Sequence, residues 1–281
     1  MRPTGAATVA GIVGSPVAHS LSPVLHNAWI EAAGLDAAYV PFPVPEDGFE
    51  RFVDGLRGGT VAGVNVTAPF KERALAAADI ADEAAQSAGA ANLLLFRADG
   101  VVAARNTDGE GLLAALADQA PTLKLRSAVV ALIGAGGAAR GAATTLLQAG
   151  VSEVRIVNRT FARARSVSEG LDGAMPYPLE NLRDALSGAH LVVNAASGGT
   201  EEMPALAHDW RARIGAAALD MTYRPLRTPF LERAAEQGLT VVDGLEMLIG
   251  QARPSFEAFY GVAAPAIDVR AQALAALGKA A

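Results

Sequence analysis

Of the 23 basic residues in this 281-residue chain, only Lys71, Lys124 and Lys279 are lysine; the other twenty are arginine. The distinction matters for proton chemistry. A guanidinium keeps its proton at any accessible pH, whereas an ammonium can release one and its pKa follows its surroundings. A lysine retained in the interior of such a chain therefore invites a proton-transfer role. Lys124 precedes a glycine-rich stretch and Lys279 lies in the tail. Lys71 closes the run Asn65-Val66-Thr67-Ala68-Pro69-Phe70-Lys71, where an apolar strand meets a helix. Position alone favours a solvated helix lysine beside Glu72 and Arg73, so an acid–base role needs partners. Three polar clusters offer them. Ser20-Leu21-Ser22 places two hydroxyls at i and i+2, on one side of an extended segment. Asn106-Thr107-Asp108-Gly109 opens a helix, where Asp108 suits a cap as well as a catalytic carboxylate, and the roles are compatible. Gln251 ends the run Gly244-Leu245-Glu246-Met247-Leu248-Ile249-Gly250-Gln251; a buried structural amide is an equal alternative there.

A second kind of chemistry is written in glycines. Gly134-x-Gly136-x-x-Ala139 matches the dinucleotide fingerprint in its Gly/Ala form, with Gly134 for the tight turn, Gly136 to admit a pyrophosphate and Ala139 for close helix–strand packing. The anion would rest on a helix N-terminus, where free N–H groups and the helix dipole favour it. Chains rich in alanine and glycine produce this pattern by chance, but here it lies between an apolar strand and a helix, the context it requires. An NAD site wants an acidic residue about 20 residues on. This chain has Asn158-Arg159-Thr160, with Arg163 one turn later. A guanidinium can clamp a 2′-phosphate, so the site reads as NADP. Arg163 equally suits a solvated helix start; Arg159 does so less well.

The elements that must carry these residues follow from the hydrophobic pattern. Thr8 to Gly14 and Val61 to Val66 read as buried strands, with a further strand at Ala38 to Val44. Ser22-Pro23 reads as a hydroxyl cap and a first-turn proline, opening a helix whose apolar face is Val24, Leu25, Ala28 and Trp29. Asp99-Gly100 marks a hairpin between Asn92 to Phe96 and Val101 to Ala104. From Ser127 the texture becomes strand, helix, strand: Val129 to Ile133, Val154 to Val157, Leu191 to Ala195, Ala216 to Met221 and Leu239 to Val242. That alternation predicts a parallel sheet covered on both faces. Helices are expected from Leu245 to Tyr260 and from Ala266 to Leu277. The fold class is therefore α/β: two α/β domains with an interdomain cleft, the second of Rossmann type. Residues 1–106 with 245–281 are expected to form the substrate and catalytic domain, and 107–244 the NADP domain.

Composition excludes several functions. The chain has no cysteine, which removes disulfides, thiolate metal sites and thiol nucleophiles. A net charge of −6 argues against general nucleic-acid binding. The mean hydropathy of +0.27 owes much to alanine; no apolar run approaches the roughly 20 residues of a spanning helix. Pro3, Gly5, Gly11 and Gly14 break any signal-peptide core after Arg2, so a soluble cytoplasmic protein is expected. His19, His26, His190 and His208 lack metal-ligand spacing, and no metal is expected.

Taken together the motifs resemble the shikimate dehydrogenase family along nearly the whole chain. In order they are His19-Ser20-Leu21-Ser22-Pro23 with His26-Asn27, Asn65-Val66-Thr67 with Pro69-Phe70-Lys71, and Ala90-Ala91-Asn92. Asn106-Thr107-Asp108-Gly109, the glycine loop, Asn158-Arg159-Thr160, Asn194-Ala195, Asp220-Met221 with Tyr223, and Gly244 to Gln251 complete the series. The resemblance implies reversible NADPH-dependent reduction of 3-dehydroshikimate to shikimate, a step toward aromatic amino acids. It implies that Ser20, Ser22 and Tyr223 hold the substrate carboxylate, that Asn65, Thr67, Asn92 and Gln251 hold ring hydroxyls, and that Lys71 and Asp108 bracket the reacting C3 oxygen. The cofactor falls to Gly134, Ala135, Gly136, Gly137, Ala138, Asn158, Arg159, Thr160, Arg163, Met221 and Gly244. The partner is thus a small molecule, and the protein a monomer or homodimer. Two positions depart from the pattern: Leu93 and Ala196 stand where many relatives carry threonine. The family also holds shikimate/quinate enzymes and divergent paralogues; Arg159 argues against an NAD-using quinate enzyme. A methyltransferase would want an acid where Asn158-Arg159 stands. A non-catalytic NADP-binding sensor would not need Lys71, Asp108, Ser20 and Ser22 together.

Overall fold

The computed structural model of the chain describes residues 3–59, 61–196, 210 and 212–278; Lys279 and His208 lie outside them. Its contacts divide it into two compact units, Met1–Thr107 with Ile249–Ala281, and Asp108–Leu248. The first begins β1 (Thr8–Gly14), α1 (Ser22–Ala32), β2 (Ala37–Pro43), α2 (Phe49–Gly55), β3 (Val61–Val66) and α3 (Lys71–Ala77). It continues with β4 (Ile80–Ala81), α4 (Glu83–Ala88), β5 (Leu93–Phe96) and β6 (Val102–Arg105). The second unit runs α5 (Asp108–Gln119), β7 (Val129–Ile133), α6 (Gly137–Gln148), β8 (Glu153–Asn158), α7 (Phe161–Ser168) and β9 (Ala174–Pro178). Then come α8 (Leu182–Leu186), β10 (Leu191–Asn194), β11 (Ala217–Asp220), α9 (Pro229–Glu236) and β12 (Thr240–Val242). Helix α10 (Gly244–Tyr260) begins in the second unit and carries the chain back to the first, which ends with α11 (Val269–Gly278).

The first unit is built on a mixed sheet ordered β2-β1-β3-β5-β6-β4. β1 runs parallel to β2 and β3, while β5 is antiparallel to both β3 and β6. Alternation along the strands sends Val13, Val64, Val66, Leu94, Val102 and Ala104 into one core with Phe49, Val53, Phe70 and Ala85. The opposite face carries Tyr39 and Asn65. There His26 stacks on Tyr39 at 4.0 Å and Trp29, Phe256 and Phe259 crowd around it, so α1 and the end of α10 cover that side.

The second unit is an all-parallel sheet ordered β12-β11-β10-β7-β8-β9, the doubly wound order in which the direction of winding reverses between β7 and β10. Both faces are covered. Leu112, Ala139, Ala143 and Leu146 pack on one, and Leu182, Trp210, Phe230 and Leu231 on the other. This explains the near-continuous apolar runs of β7 and β10.

The expected strands Thr8 to Gly14, Val61 to Val66 and Val129 to Ile133 form as read, and the Asp99-Gly100 hairpin joins β5 to β6. Other elements differ. β9 is Ala-Met-Pro-Tyr-Pro, and its two prolines mask it as a strand; it tolerates them because it lies at the sheet edge, where N–H groups need no partner. The short α4 and two-residue β4 are also unforeseen. Ser22 is not a cap: α1 is capped by Leu21 without a side-chain bond, so Ser22 is the first helical residue and its hydroxyl is buried.

Candidate functional site

In the first unit the C-terminal ends of the strands gather hydroxyls and amides. Ser20 Oγ accepts from the Ser22 N–H at 3.2 Å, which holds the two serines in one tight turn before α1. The end of β3 brings Asn65 to a buried position and Thr67 to a half-buried one. Thr67 is fixed by its N–H to the Val13 carbonyl at 3.0 Å. Two backbone bonds then link Lys71 to Ala91 and Asn92 to this strand. The Lys71 carbonyl accepts from the Ala91 N–H at 2.8 Å, and the Asn92 carbonyl accepts from the Val66 N–H at 2.8 Å. Lys71, at the first position of α3, is half-buried.

The amides interlock. Tyr39 Oη donates to Asn65 Oδ1 at 2.8 Å, and Asn65 Nδ2 donates to Ser255 Oγ at 2.9 Å and to the Asn92 carbonyl at 3.3 Å. Asn92 Nδ2 donates to Gln251 Oε1 at 2.7 Å and to Thr107 Oγ1 at 3.0 Å, while Asn92 Oδ1 accepts from the Thr107 N–H at 2.8 Å. Thr107 Oγ1 in turn donates to the Gln251 carbonyl at 3.0 Å. Asn65, Asn92 and Gln251, chosen from sequence, are thus one connected group, and the network adds Tyr39, Thr107 and Ser255. Thr107 could have been found in its Asn106 to Gly109 cluster; Tyr39 and Ser255 carry no local signal. Burial raises the Tyr39 phenol well above its ordinary pKa, with the Ser22 hydroxyl acting in the opposite sense. Burial lowers His26 to about 3, and neither of its ring nitrogens has a hydrogen-bond partner. Leu93 pairs with Asn65 across β3 and β5 and is fully buried, so this departure from the pattern serves the core.

In the second unit the chemistry is held by backbone. Gly134 follows β7 with φ +114°, and a Cβ there would come within 2.9 Å of the Ala195 carbonyl group beyond β10. Only glycine suits both demands. Gly136 caps α6 without a side-chain bond, and a Cβ added to it would meet nothing within 4 Å. The first amides of this 12-residue helix are therefore open to an anion. Ala139 is buried against the sheet, as the fingerprint requires. Ala135 lies in the turn, and Gly137 and Ala138 are the first two residues of α6. At the end of β8, Asn158 Nδ2 donates to the Thr160 carbonyl at 2.9 Å, and Arg159, Thr160 and Arg163 are exposed.

Two further pins shape this end of the sheet. Asp220, buried, accepts from Asn194 Nδ2 at 3.0 Å, from the Thr222 N–H at 2.9 Å and from Thr228 Oγ1 at 2.7 Å. Met221 is tied by its N–H to the Asn194 carbonyl at 3.0 Å. Gly244 lies beneath this loop, where a Cβ would approach the Thr222 and Met221 carbonyl oxygens to 2.6 and 2.7 Å. Asp108 opens α5 as its first helical residue rather than its cap. Asp108 and the half-buried Tyr223 belong to this unit, whereas Lys71 belongs to the other.

A strand-order reversal beside a glycine turn, with open helix amides and no acidic residue at the second strand end, defines a protein with a Rossmann-type dinucleotide-binding unit. Comparison with known proteins narrows the class. A family model described as the shikimate dehydrogenase substrate binding domain matches residues 12–94, and one described as shikimate / quinate 5-dehydrogenase matches residues 115–206. The chain is 54% identical over 279 residues to the shikimate dehydrogenase (NADP(+)) of Caulobacter vibrioides, covering 98% of both chains. It is 48% identical to the Maricaulis maris protein of the same name, covering 99% of both. The shikimate 5-dehydrogenase of Thermus thermophilus, solved in complex with NADP(H) and shikimate, superposes with a TM-score of 0.80 at 35% identity, covering 97% of this chain and 99% of that one. The chain belongs to the shikimate dehydrogenase family.

Proposed function

We propose that the protein catalyses the reversible NADPH-dependent reduction of 3-dehydroshikimate to shikimate. The observation that carries this is full-length similarity to NADP-dependent shikimate dehydrogenases in a chain that keeps both the open glycine turn and the buried amide network. The network suits a polyol: several neutral donors and acceptors, fixed in advance, recognise hydroxyl groups where a cation would recognise only charge.

In this reading residues 1–106 with 245–281 form the substrate domain and 107–244 the NADP domain. Ser20 and Ser22, aided by Tyr223, hold the carboxylate; Asn65, Thr67, Asn92 and Gln251 hold ring hydroxyls. Bound NADPH supplies the hydride to C3. Lys71, as an ammonium, gives its proton to the C3 oxygen, and in the reverse direction the neutral amine takes that proton. Asp108 orients the lysine and the substrate. Gly134 to Ala138 and the α6 amides receive the pyrophosphate, while Asn158, Arg159, Thr160 and Arg163 receive the 2′-phosphate end. Met221 and Gly244 complete the cofactor-binding set. Among the described residues no helix is long and apolar enough to cross a membrane, and a cytoplasmic monomer or homodimer is the accompanying expectation.

The test is steady-state oxidation of shikimate and of quinate, each with NADP and with NAD. Activity concentrated in the shikimate–NADP pair supports the proposal. Faster turnover of quinate, or no turnover of any pair, overturns it in favour of a quinate enzyme or a paralogue with another substrate.

A further inference from the structure

The direction of every hydrogen bond around Asn65 can be deduced. The Gln251 carbonyl can only accept, so Ser255 Oγ, 3.2 Å away, commits its single proton there. Ser255 Oγ must then accept from Asn65 at 2.9 Å, which makes that atom Nδ2. The other Nδ2 hydrogen faces the Asn92 carbonyl, again an obligate acceptor, at 3.3 Å. Oδ1 is left facing Tyr39, whose hydroxyl has to donate at 2.8 Å. Turning the amide over would set oxygen against oxygen on one side, so its orientation is over-determined. Asn65, Tyr39 and Ser255 are all buried, where an unmade hydrogen bond is not replaced by water. The Tyr39 ring is itself held, stacked on His26 at 4.0 Å.

We propose that Tyr39 and Ser255 are positioning residues for Asn65, locking its amide so that toward a substrate it can only accept. Both N–H groups are committed, and of the four hydrogen-bonding sites on the amide one lone pair of Oδ1 remains. A ring hydroxyl recognised by Asn65 therefore donates to it. Gln251 has the opposite polarity. Its Oε1 accepts from Asn92 at 2.7 Å, which turns its Nε2 donors to other use. The site thus distinguishes a hydroxyl as donor at Asn65 from a hydroxyl as acceptor at Gln251. The raised Tyr39 pKa agrees with a phenol that keeps its proton throughout the working range. This inference rests on the proposed reading of Asn65 as a substrate-binding residue.

A double-mutant cycle on the full-length protein tests it, with steady-state shikimate oxidation by NADP as readout. Tyr39→Phe keeps the stacked ring and removes the donor. It should raise KM for shikimate about tenfold, roughly one net hydrogen bond, with KM for NADP unchanged. In an Asn65→Ala background the same change should alter KM less than about twofold, because its effect passes through Asn65. An equal loss in both backgrounds overturns the positioning role. If Asn65→Ala leaves kcat/KM for shikimate intact, the substrate reading of Asn65 itself fails, and the proposal with it. Ser255→Ala, which removes an acceptor from the same amide, runs through the same cycle with the same criteria should Tyr39→Phe not fold. Polarity is tested with shikimate analogues carrying fluorine, which accepts weakly and cannot donate, at each non-reacting hydroxyl. One position should show a KM increase that vanishes in Asn65→Ala; no such position overturns the donor assignment.

Discussion

In the proposed reading, the two units hold a polar ligand in opposite ways. In the first, function resides in side chains: Tyr39, Asn65, Ser255, Asn92, Gln251 and Thr107 are bonded to one another, and most of them are buried. In the second it resides in backbone, in a glycine turn and helix amides without a side-chain cap, with Arg159 and Arg163 exposed at the rim. A site of interlocked buried side chains ties recognition to stability, since no member can be removed without leaving its partners unsatisfied. A backbone site tolerates change in its exposed side chains but not in its glycines. Substitutions should therefore divide by unit, and changes at four positions test the contrast.

The largest effect is expected at Lys71, whose proposed work is proton transfer rather than holding the substrate. Lys71→Ala should lower kcat about 10²–10⁴-fold, the usual worth of a positioned acid–base group, while shikimate binding measured by titration changes far less. A rise in KM with kcat intact would return Lys71 to a binding or solvated role. Gly134 comes next. Gly134→Val demands a β-branched residue at φ +114° and places Cβ within 2.9 Å of the Ala195 carbonyl. Strain of about 1–3 kcal/mol or more should fall on the turn, abolishing measurable NADP binding by fluorescence titration. Retained binding would show that the β7–β10 crossing is more yielding than the contrast allows.

Much of this was legible in the sequence, and what was not has a physical reason. The glycine turn declared itself because φ +114° and close approach leave one residue type. The parallel sheet declared itself through apolar strands covered on both faces. Lys71 and the asparagines stood out by residue type at strand ends. Tyr39 did not, because an aromatic residue in a strand reads as core whether or not its hydroxyl has work to do. Ser255 lies 190 residues from Asn65 in the chain, and nothing local marks it. Ser22 misled for the reverse reason: Ser-Pro is a strong cap signal, but the helix begins one residue earlier and turns the hydroxyl inward.

A pH test sharpens the burial side of the comparison. His26 is lowered by burial from 6.5 to about 3. Below pH 6.5 the unfolded chain takes up a proton that the folded protein refuses, so stability falls as pH falls through the window between those two values. Each unit subtracts about 1.4 kcal/mol, or about 2 kcal/mol between pH 7 and pH 5. The carboxylates held low by partners, Asp36, Glu50 and Asp79, act in more acidic solution, below about pH 5, and leave the interval from pH 7 to pH 5 to His26. His26→Phe keeps an aromatic ring against Tyr39 and removes the titrating group. The difference in urea-unfolding free energy between pH 7 and pH 5 should shrink by about that 2 kcal/mol. An unchanged difference would mean that His26 meets solvent or a partner in the folded protein.

The smallest effect is expected at the exposed rim of the second unit, and it is an effect on choice rather than on binding as a whole. Arg159 and Arg163 follow β8, where an NAD enzyme would offer a carboxylate. In the proposed reading, removing Arg159 takes a charge from the 2′-phosphate and nothing from the rest of the cofactor. Arg159→Ala should therefore raise KM for NADP about tenfold, the low end for a charge-assisted contact because this one is exposed. KM for NAD, which lacks that phosphate, should move less than about twofold. The wild-type preference should weaken with added salt, since exposed charges are screened over about 10 Å at 0.1 M, and the variant's residual preference should be less salt-sensitive. Arg159→Lys should fall between, keeping charge without the two-pronged geometry. Equal losses on the two cofactors would mean that Arg159 supports the turn after β8 as structure. Specificity would then have to be sought in Arg163, and the division between a backbone that binds and side chains that choose would fail at this rim.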